Sequence, residues 1–102
     1  MAYTAGVRVA WDEAKNLANR RKHGISFEEA GELFTSGADY LEIFDEAHSE
    51  SEDRFIAIGP ITHGLVLLVW TMRDDDISRI ISARWASERE QSLYYSYMDR
   101  RR

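Results

Sequence analysis

Arg79-Ile80-Ile81-Ser82-Ala83-Arg84-Trp85-Ala86-Ser87-Glu88-Arg89-Glu90-Gln91-Ser92-Leu93-Tyr94-Tyr95 changes its periodicity halfway along. The first half is β-branched and alternating, as a half-buried strand is. The second half spaces Leu93, Tyr94, Tyr97 and Met98 on one helical face. At the join, Ser87 and Glu90 form a Ser-x-x-Glu capping box, the signature of a helix N-terminus. A strand therefore feeds straight into the last helix. Arg79, Arg84, Glu90 and Tyr94 are the side chains of this stretch with chemistry suited to a phosphate.

Upstream of this corner the chain reads as strands. Ile77 to Trp85 is the last of them, preceded by an acidic turn at Asp74-Asp75-Asp76. Leu65 to Met72 is nearly all apolar and predicts a central strand covered on both faces. Thr62-His63-Gly64 turns the chain, and Arg54 to Gly59 is another strand, with Pro60 marking a sheet edge or the strand's end. Asp45 to Asp53 is a solvated acidic loop, and Tyr40 to Phe44 alternates. Short turns between these runs predict an antiparallel meander of four strands.

Further back the period becomes helical. Ser26 and Glu29 form a second capping box, opening a helix that buries Phe27, Ala30, Leu33 and Phe34 and stops near Ser36-Gly37. The helix before it starts at Asp12, carries an apolar stripe of Ala14, Leu17, Ala18 and the stem of Arg21, and ends in a basic turn (Arg20 to His23) with Gly24 as its stop. Val7 to Ala10 is a short first strand. The expected architecture is α+β: a short N-terminal strand, a two-helix hairpin, an antiparallel four-stranded meander and a C-terminal helix, with the helices on one sheet face.

At 102 residues the chain makes one domain, 1–102, and 44% hydrophobic residues suffice for a core. Cysteine is absent, which removes disulfides and thiolate metal sites. No apolar run reaches the roughly 20 residues that span a bilayer, and Met1 to Gly6 lacks the features of a signal peptide. These points predict a cytoplasmic protein with no membrane contact. A net charge of −5 runs against a nucleic-acid binder as a whole. The bases nevertheless segregate from the acids, at Arg20-Arg21-Lys22-His23, Arg79, Arg84 and the Arg100-Arg101-Arg102 tail.

Three blocks carry a resemblance: Trp11-Asp12-x-x-Lys15, Asn19-x-x-Lys22-His23-Gly24-Ile25-x-Phe27-x-x-Ala30, and Arg79-Ile80-Ile81-Ser82-Ala83-Arg84-x-Ala86-Ser87-x-x-Glu90, with Arg54-Phe55-x-x-Ile58-Gly59 between them. In this order they resemble the signature of the BrnT toxins. The resemblance implies a RelE-like fold and a ribonuclease toxin of a type II toxin–antitoxin pair. It also implies a BrnA-like ribbon-helix-helix antitoxin as partner, with operator DNA bound only through that antitoxin. Two features depart from the pattern: Trp85 stands where a second basic residue is expected, and the charge is acidic. They motivate a second reading, a catalytically weak or inactive toxin-fold module that binds an antitoxin and acts as co-repressor.

Metal-free RNA cleavage needs a base on the ribose 2′-OH, cations on the pentacoordinate phosphate and an acid on the leaving 5′-oxygen. Arginine suits the middle task because its planar fork grips two phosphate oxygens. Arg84 and Arg73 are the candidates for it, with their strands expected to bring them together; simple alternation puts Arg84 on one face with Ile80 and Ser82, opposite Arg79. Glu90 is a candidate general base, or solely the partner in its capping box. His23, at a helix C-terminus that favours imidazolium, is a candidate general acid, or simply compensates the dipole. Lys22, Arg79 and Tyr94 are candidate RNA-binding residues, Tyr94 being equally suited to the core. No spacing of His and acids suggests a metal, and neither a metal nor another cofactor is expected.

Overall fold

The computed structural model describes residues 2–4, 7–74 and 76–101. Asp75 of the expected acidic turn and Arg102 of the basic tail lie outside the described residues. The elements run β1 (Ala2–Thr4), β2 (Val7–Ala10), α1 (Glu13–His23), α2 (Phe27–Thr35), β3 (Leu41–Phe44), β4 (Phe55–Ile61), β5 (Gly64–Arg73), β6 (Ile77–Trp85) and α3 (Glu88–Arg100). The strands form one six-stranded sheet in the order β1-β2-β6-β5-β4-β3.

The expected α+β class and the antiparallel meander β3-β4-β5-β6 are both present. Two features differ from expectation. Ala2–Thr4 adds a strand, antiparallel to β2. β2 itself joins the sheet by pairing in parallel with β6, Arg8 opposite Ile77 and Ala10 opposite Arg79, so the sheet is mixed. Pro60 lies where β4 has outrun β3, whose pairing ends at Ile58, so its missing N–H leaves the ladder with β3 intact.

The caps predicted from sequence form. The Asp12 carboxylate accepts from the N–H groups of Ala14 (2.8 Å) and Lys15 (3.3 Å). Gly24 takes φ +72°, the left-handed conformation that ends a helix, and its N–H bonds the Arg20 carbonyl. Ser26 caps α2 by accepting from Glu29 N–H, without the reciprocal bond from the Glu29 side chain. At α3 both halves of the box close between Ser87 and Glu90.

The sheet divides two cores. On one face α1 and α2 cover Val9, Ala57, Val66, Leu68, Trp70, Ile80 and Ala83 with Ile25, Phe27, Ala30 and Leu33. On the other, α3 brings Tyr94 and Met98 onto Ile58, Leu67, Leu41 and Ile56. The expectation of all helices on one face is thus corrected: α3 packs behind β3 and β4. Its tether is short, only Ala86 and Ser87 separating it from β6, and the Ala86 N–H bonds Leu65 O on β5.

α1 also departs from its expected orientation. Ala14, Leu17 and Ala18 face solvent, Leu17 being 48% exposed, while Asn16 and Asn19 are buried. Hydrogen bonding explains the inversion. Asn19 Nδ2 donates to the carbonyls of Ile25 (3.0 Å) and Ala83 (2.8 Å), and its Oδ1 accepts from Ala83 N–H (3.1 Å). β2 stops at Ala10, opposite Arg79, so among the described residues β6 beyond that point lacks a strand on this side. The Asn19 amide stands in for the missing strand. Asn16 similarly accepts from Phe27 N–H and donates to Glu28 and Glu13, pinning α1 to the start of α2. Satisfying buried backbone groups outweighs burying one leucine and two alanines.

Gly59 shows how tightly α2 sits. A Cβ there would come within 2.6 Å of Leu33 Cδ1 and 2.7 Å of Tyr40 Cβ. Gly59→Ala should destabilise the protein by about 2 kcal/mol through overpacking, read as a lower urea midpoint at unchanged m-value.

Candidate active site at the β6–α3 junction

The register of β5 and β6 decides which candidates meet. Leu68 faces Ala83 and Val69 faces Ser82, but Trp70 faces Ile80, so Ile81 is an extra residue at a bulge. The bulge reverses the alternation. Ile80 points into the α1–α2 core, whereas Ser82 and Arg84 follow Val69 and Leu67 onto the α3 side. Arg79, opposite Thr71, falls on that same side, so the expected opposition of Arg79 and Arg84 is corrected.

Arg73 does not converge with Arg84. It pairs with Ile77 beside the turn of the hairpin, while Arg84 pairs with Leu67 at the open end. The two positions on β5, Leu67 and Arg73, lie six steps apart, roughly 20 Å at the usual rise of a strand. Arg73 instead neighbours Arg79: both line a shallow pocket of about 290 Å³ with Ala10, Trp11, Asp74 and Ile77. Arg73 is half exposed and lies 3.8 Å from the Glu52 carboxylate.

At the other end a compact group forms. The Arg84 guanidinium meets Glu90 end-on, Nη1 to Oε1 at 2.7 Å and Nη2 to Oε2 at 2.8 Å. Glu90 Oε1 also accepts from Ser87 N–H at 2.8 Å, so one carboxylate both closes the helix cap and orients the arginine. Arg84 Nη1 lies 3.4 Å from the Trp85 carbonyl. Among the described residues no partner takes the Nε–Nη2 edge of the fork, and the side chain is 41% exposed. A fixed guanidinium with one donor edge free is the geometry that accepts a phosphate side-on.

The pair shifts both groups. The hydrogen bond from Arg84, helped by those from Ser87, holds the Glu90 carboxyl down at about 2 against the desolvation that would raise it. Glu90 in turn raises Arg84. Because the folded-state value lies below the ordinary 4.5, this contribution to stability is complete above that pH and fades as pH falls toward 2. Glu90→Gln keeps the reach back to Ser87 but loses the ion pair. Its stability deficit relative to wild type should be full at neutral pH, shrink below 4.5 and vanish near 2, as followed by urea midpoints across that range.

His23 ends α1 one turn beyond Asn19, on the same helix side, and Asn19 is bonded to Ala83 next to Arg84. His23 is half-buried and Lys22 beside it is exposed. Tyr94 is buried in the second core, its hydroxyl 3.4 Å from the Asp39 carbonyl, and burial raises its pKa so that the phenol stays neutral. The junction therefore joins Arg84 to Glu90 and leaves Arg73 and Arg79 at the far end of the hairpin, and among the described residues no hydrogen bond or ion pair ties His23 to the pair. The bulge and the missing segment of β2, which set this grouping, carry no local mark in the sequence beyond Asn19 itself.

This fold is one found among ribonuclease toxins. The crystal structure of the Brucella abortus ribonuclease toxin BrnT superposes with a TM-score of 0.60, covering 80% of this chain and 99% of that one at 24% identity, a likeness that carries the fold alone. The profile of the family described as ribonuclease toxin, BrnT, of type II toxin–antitoxin system matches residues 11–90, and the chain belongs to that family. No curated protein sequence matches it.

Proposed function

We propose that this protein is a cytoplasmic, metal-independent endoribonuclease toxin that inhibits translation by cutting RNA and is neutralised by a BrnA-like ribbon-helix-helix antitoxin, through which alone it reaches operator DNA. The observation that carries the catalytic part is the Arg84 fork, held end-on by Glu90 with its Nε–Nη2 edge open. In this reading the ribose 2′-oxygen attacks the phosphorus and loses its proton, the bond to the 5′-oxygen breaks, and that oxygen takes up a proton. Arg84 binds the non-bridging oxygens, whose charge grows in the transition state. His23 serves proton transfer, since a carboxylate held near 2 is a weak base. Glu90 is then the residue that positions Arg84. Lys22, Arg79 and Arg73 contact flanking phosphates along the sheet, and Tyr94 supports α3 from within the core.

Purified protein should cut an RNA oligonucleotide in excess chelator and leave cyclic 2′,3′-phosphate ends. Intact RNA with folded wild-type protein overturns the proposal. One observation favours the second reading, a weakly active antitoxin-binding module: Glu90 neutralises the very cation the chemistry requires. Growth arrest on expression without an antitoxin separates the two, because an inactive module causes none.

A further inference from the structure

β3 is the outer strand of the sheet, with β4 on one side and no strand among the described residues on the other. Ile43 pairs with Ile56, and the next inward bond runs from Asp45 N–H to the Arg54 carbonyl at 2.8 Å. Antiparallel alternation therefore turns the N–H and C=O groups of Glu42 and Phe44 outward. The neighbouring side chains are apolar and exposed on both faces: Ile43, 38% exposed, on the α3 side, and Phe44, 47% exposed, on the opposite side against Phe55. Sheet edges are ordinarily blunted by charge, proline or a covering segment, and an edge flanked by bare apolar groups is a template for another strand.

Charge identifies the strand it takes. Glu42 lies on the edge, and Asp45, Glu46, Glu50, Glu52 and Asp53 follow directly. The bases nearby are already engaged, His48 with Asp45 at 2.9 Å and Arg54 with Glu52 at 3.8 Å. A second copy of this chain would set acid against acid, and RNA or an anionic bilayer is repelled. We propose that the β3 edge docks an extended segment of a partner protein in which basic and apolar side chains alternate, adding a seventh strand to the sheet. Its apolar residues lie on the α3 side against Ile43 and Leu41. Its basic residues lie on the other, their charges at Glu42 and their stems over Phe44.

The test uses the full chain and two synthetic octapeptides of equal charge: one of alternating lysine and valine, the other interrupted by prolines so that it cannot pair as a strand. Fluorescence anisotropy should show binding of the first and not the second, with hydrogen-exchange protection gained at the Glu42 and Phe44 amides. Glu42→Pro removes one outward N–H and Glu42→Lys reverses the edge charge; each should weaken binding about tenfold, the effect of one lost hydrogen bond or ion pair. Should Glu42→Pro fail to fold, Glu42→Lys, which leaves the ladder intact, decides alone. Equal binding of both peptides, or protection elsewhere than β3, overturns the proposal. RNA cleavage is unchanged in the Glu42 variants, and peptide binding survives Arg84→Ala, so this inference and the ribonuclease reading fail independently.

Discussion

Asn19→Ala should be among the most destabilising single substitutions in the chain, lowering stability by about 3–4 kcal/mol. The loss follows from three buried backbone groups. The Ala83 N–H, the Ala83 carbonyl and the Ile25 carbonyl all bond the Asn19 amide, at 3.1, 2.8 and 3.0 Å. Each buried group left unsatisfied costs about 1–3 kcal/mol, while alanine's better helix propensity returns only some 0.5 kcal/mol. For a domain of this size the melting temperature should fall by about 15–25 °C. Thermal unfolding by circular dichroism measures it. Asn19→Asp is the sharper control: it preserves shape and one acceptor but turns a carboxylate oxygen toward the two carbonyls, so it should rescue little. A shift of under about 1 kcal/mol for Asn19→Ala would mean that the amide does not replace a strand for β6.

Arg84→Ala should lower the rate of RNA cleavage about 10²–10³-fold, the usual loss when one preorganised donor to a transition-state anion is removed. Stability should fall by no more than the partly solvated pair with Glu90 supplies, about 1 kcal/mol. Arg84 is 41% exposed, its pair with Glu90 is partly solvated, and the Ser87–Glu90 box does not need it. Arg84→Lys should recover only a small part of the rate, because an ammonium cannot be gripped end-on by Glu90 and still offer a second edge. Single-turnover cleavage at saturating enzyme, alongside urea unfolding of each variant, separates the chemical loss from any folding defect. Wild-type rates in a folded Arg84→Ala variant would remove Arg84 from the mechanism.

What was legible in the sequence was local. Asp12, Gly24, Ser26 and the Ser87–Glu90 box fixed the helix ends because capping depends on residues within one turn. The alternation of Tyr40–Phe44 and the apolar run from Leu65 marked strands for the same reason. Relations between elements were not legible. The stripe of Ala14, Leu17 and Ala18 predicted a buried face, yet distant demands at Ala83 and Phe27 turned Asn19 and Asn16 inward instead. The extra residue at Ile81 undid an argument from strict alternation and moved Arg79 to the side of Arg84. Arg73 was expected beside Arg84 because both end a strand. Antiparallel strands, however, end at opposite poles of their hairpin. Of the candidate site, the residue types were readable and their grouping was not.

The parallel pairing of β2 with β6 bears on the order in which this molecule is made. A ribosome delivers β2, α1 and α2 first, but the strand that β2 lies beside, and the Ala83 groups that Asn19 satisfies, arrive only with Ile77–Trp85. Until then the first two helices have no complete sheet to rest on, and the closing of so long a loop is slow. Glu90, which holds Arg84, emerges later still. A nascent chain thus carries no assembled arginine corner until Glu90 has followed β6 out of the ribosome.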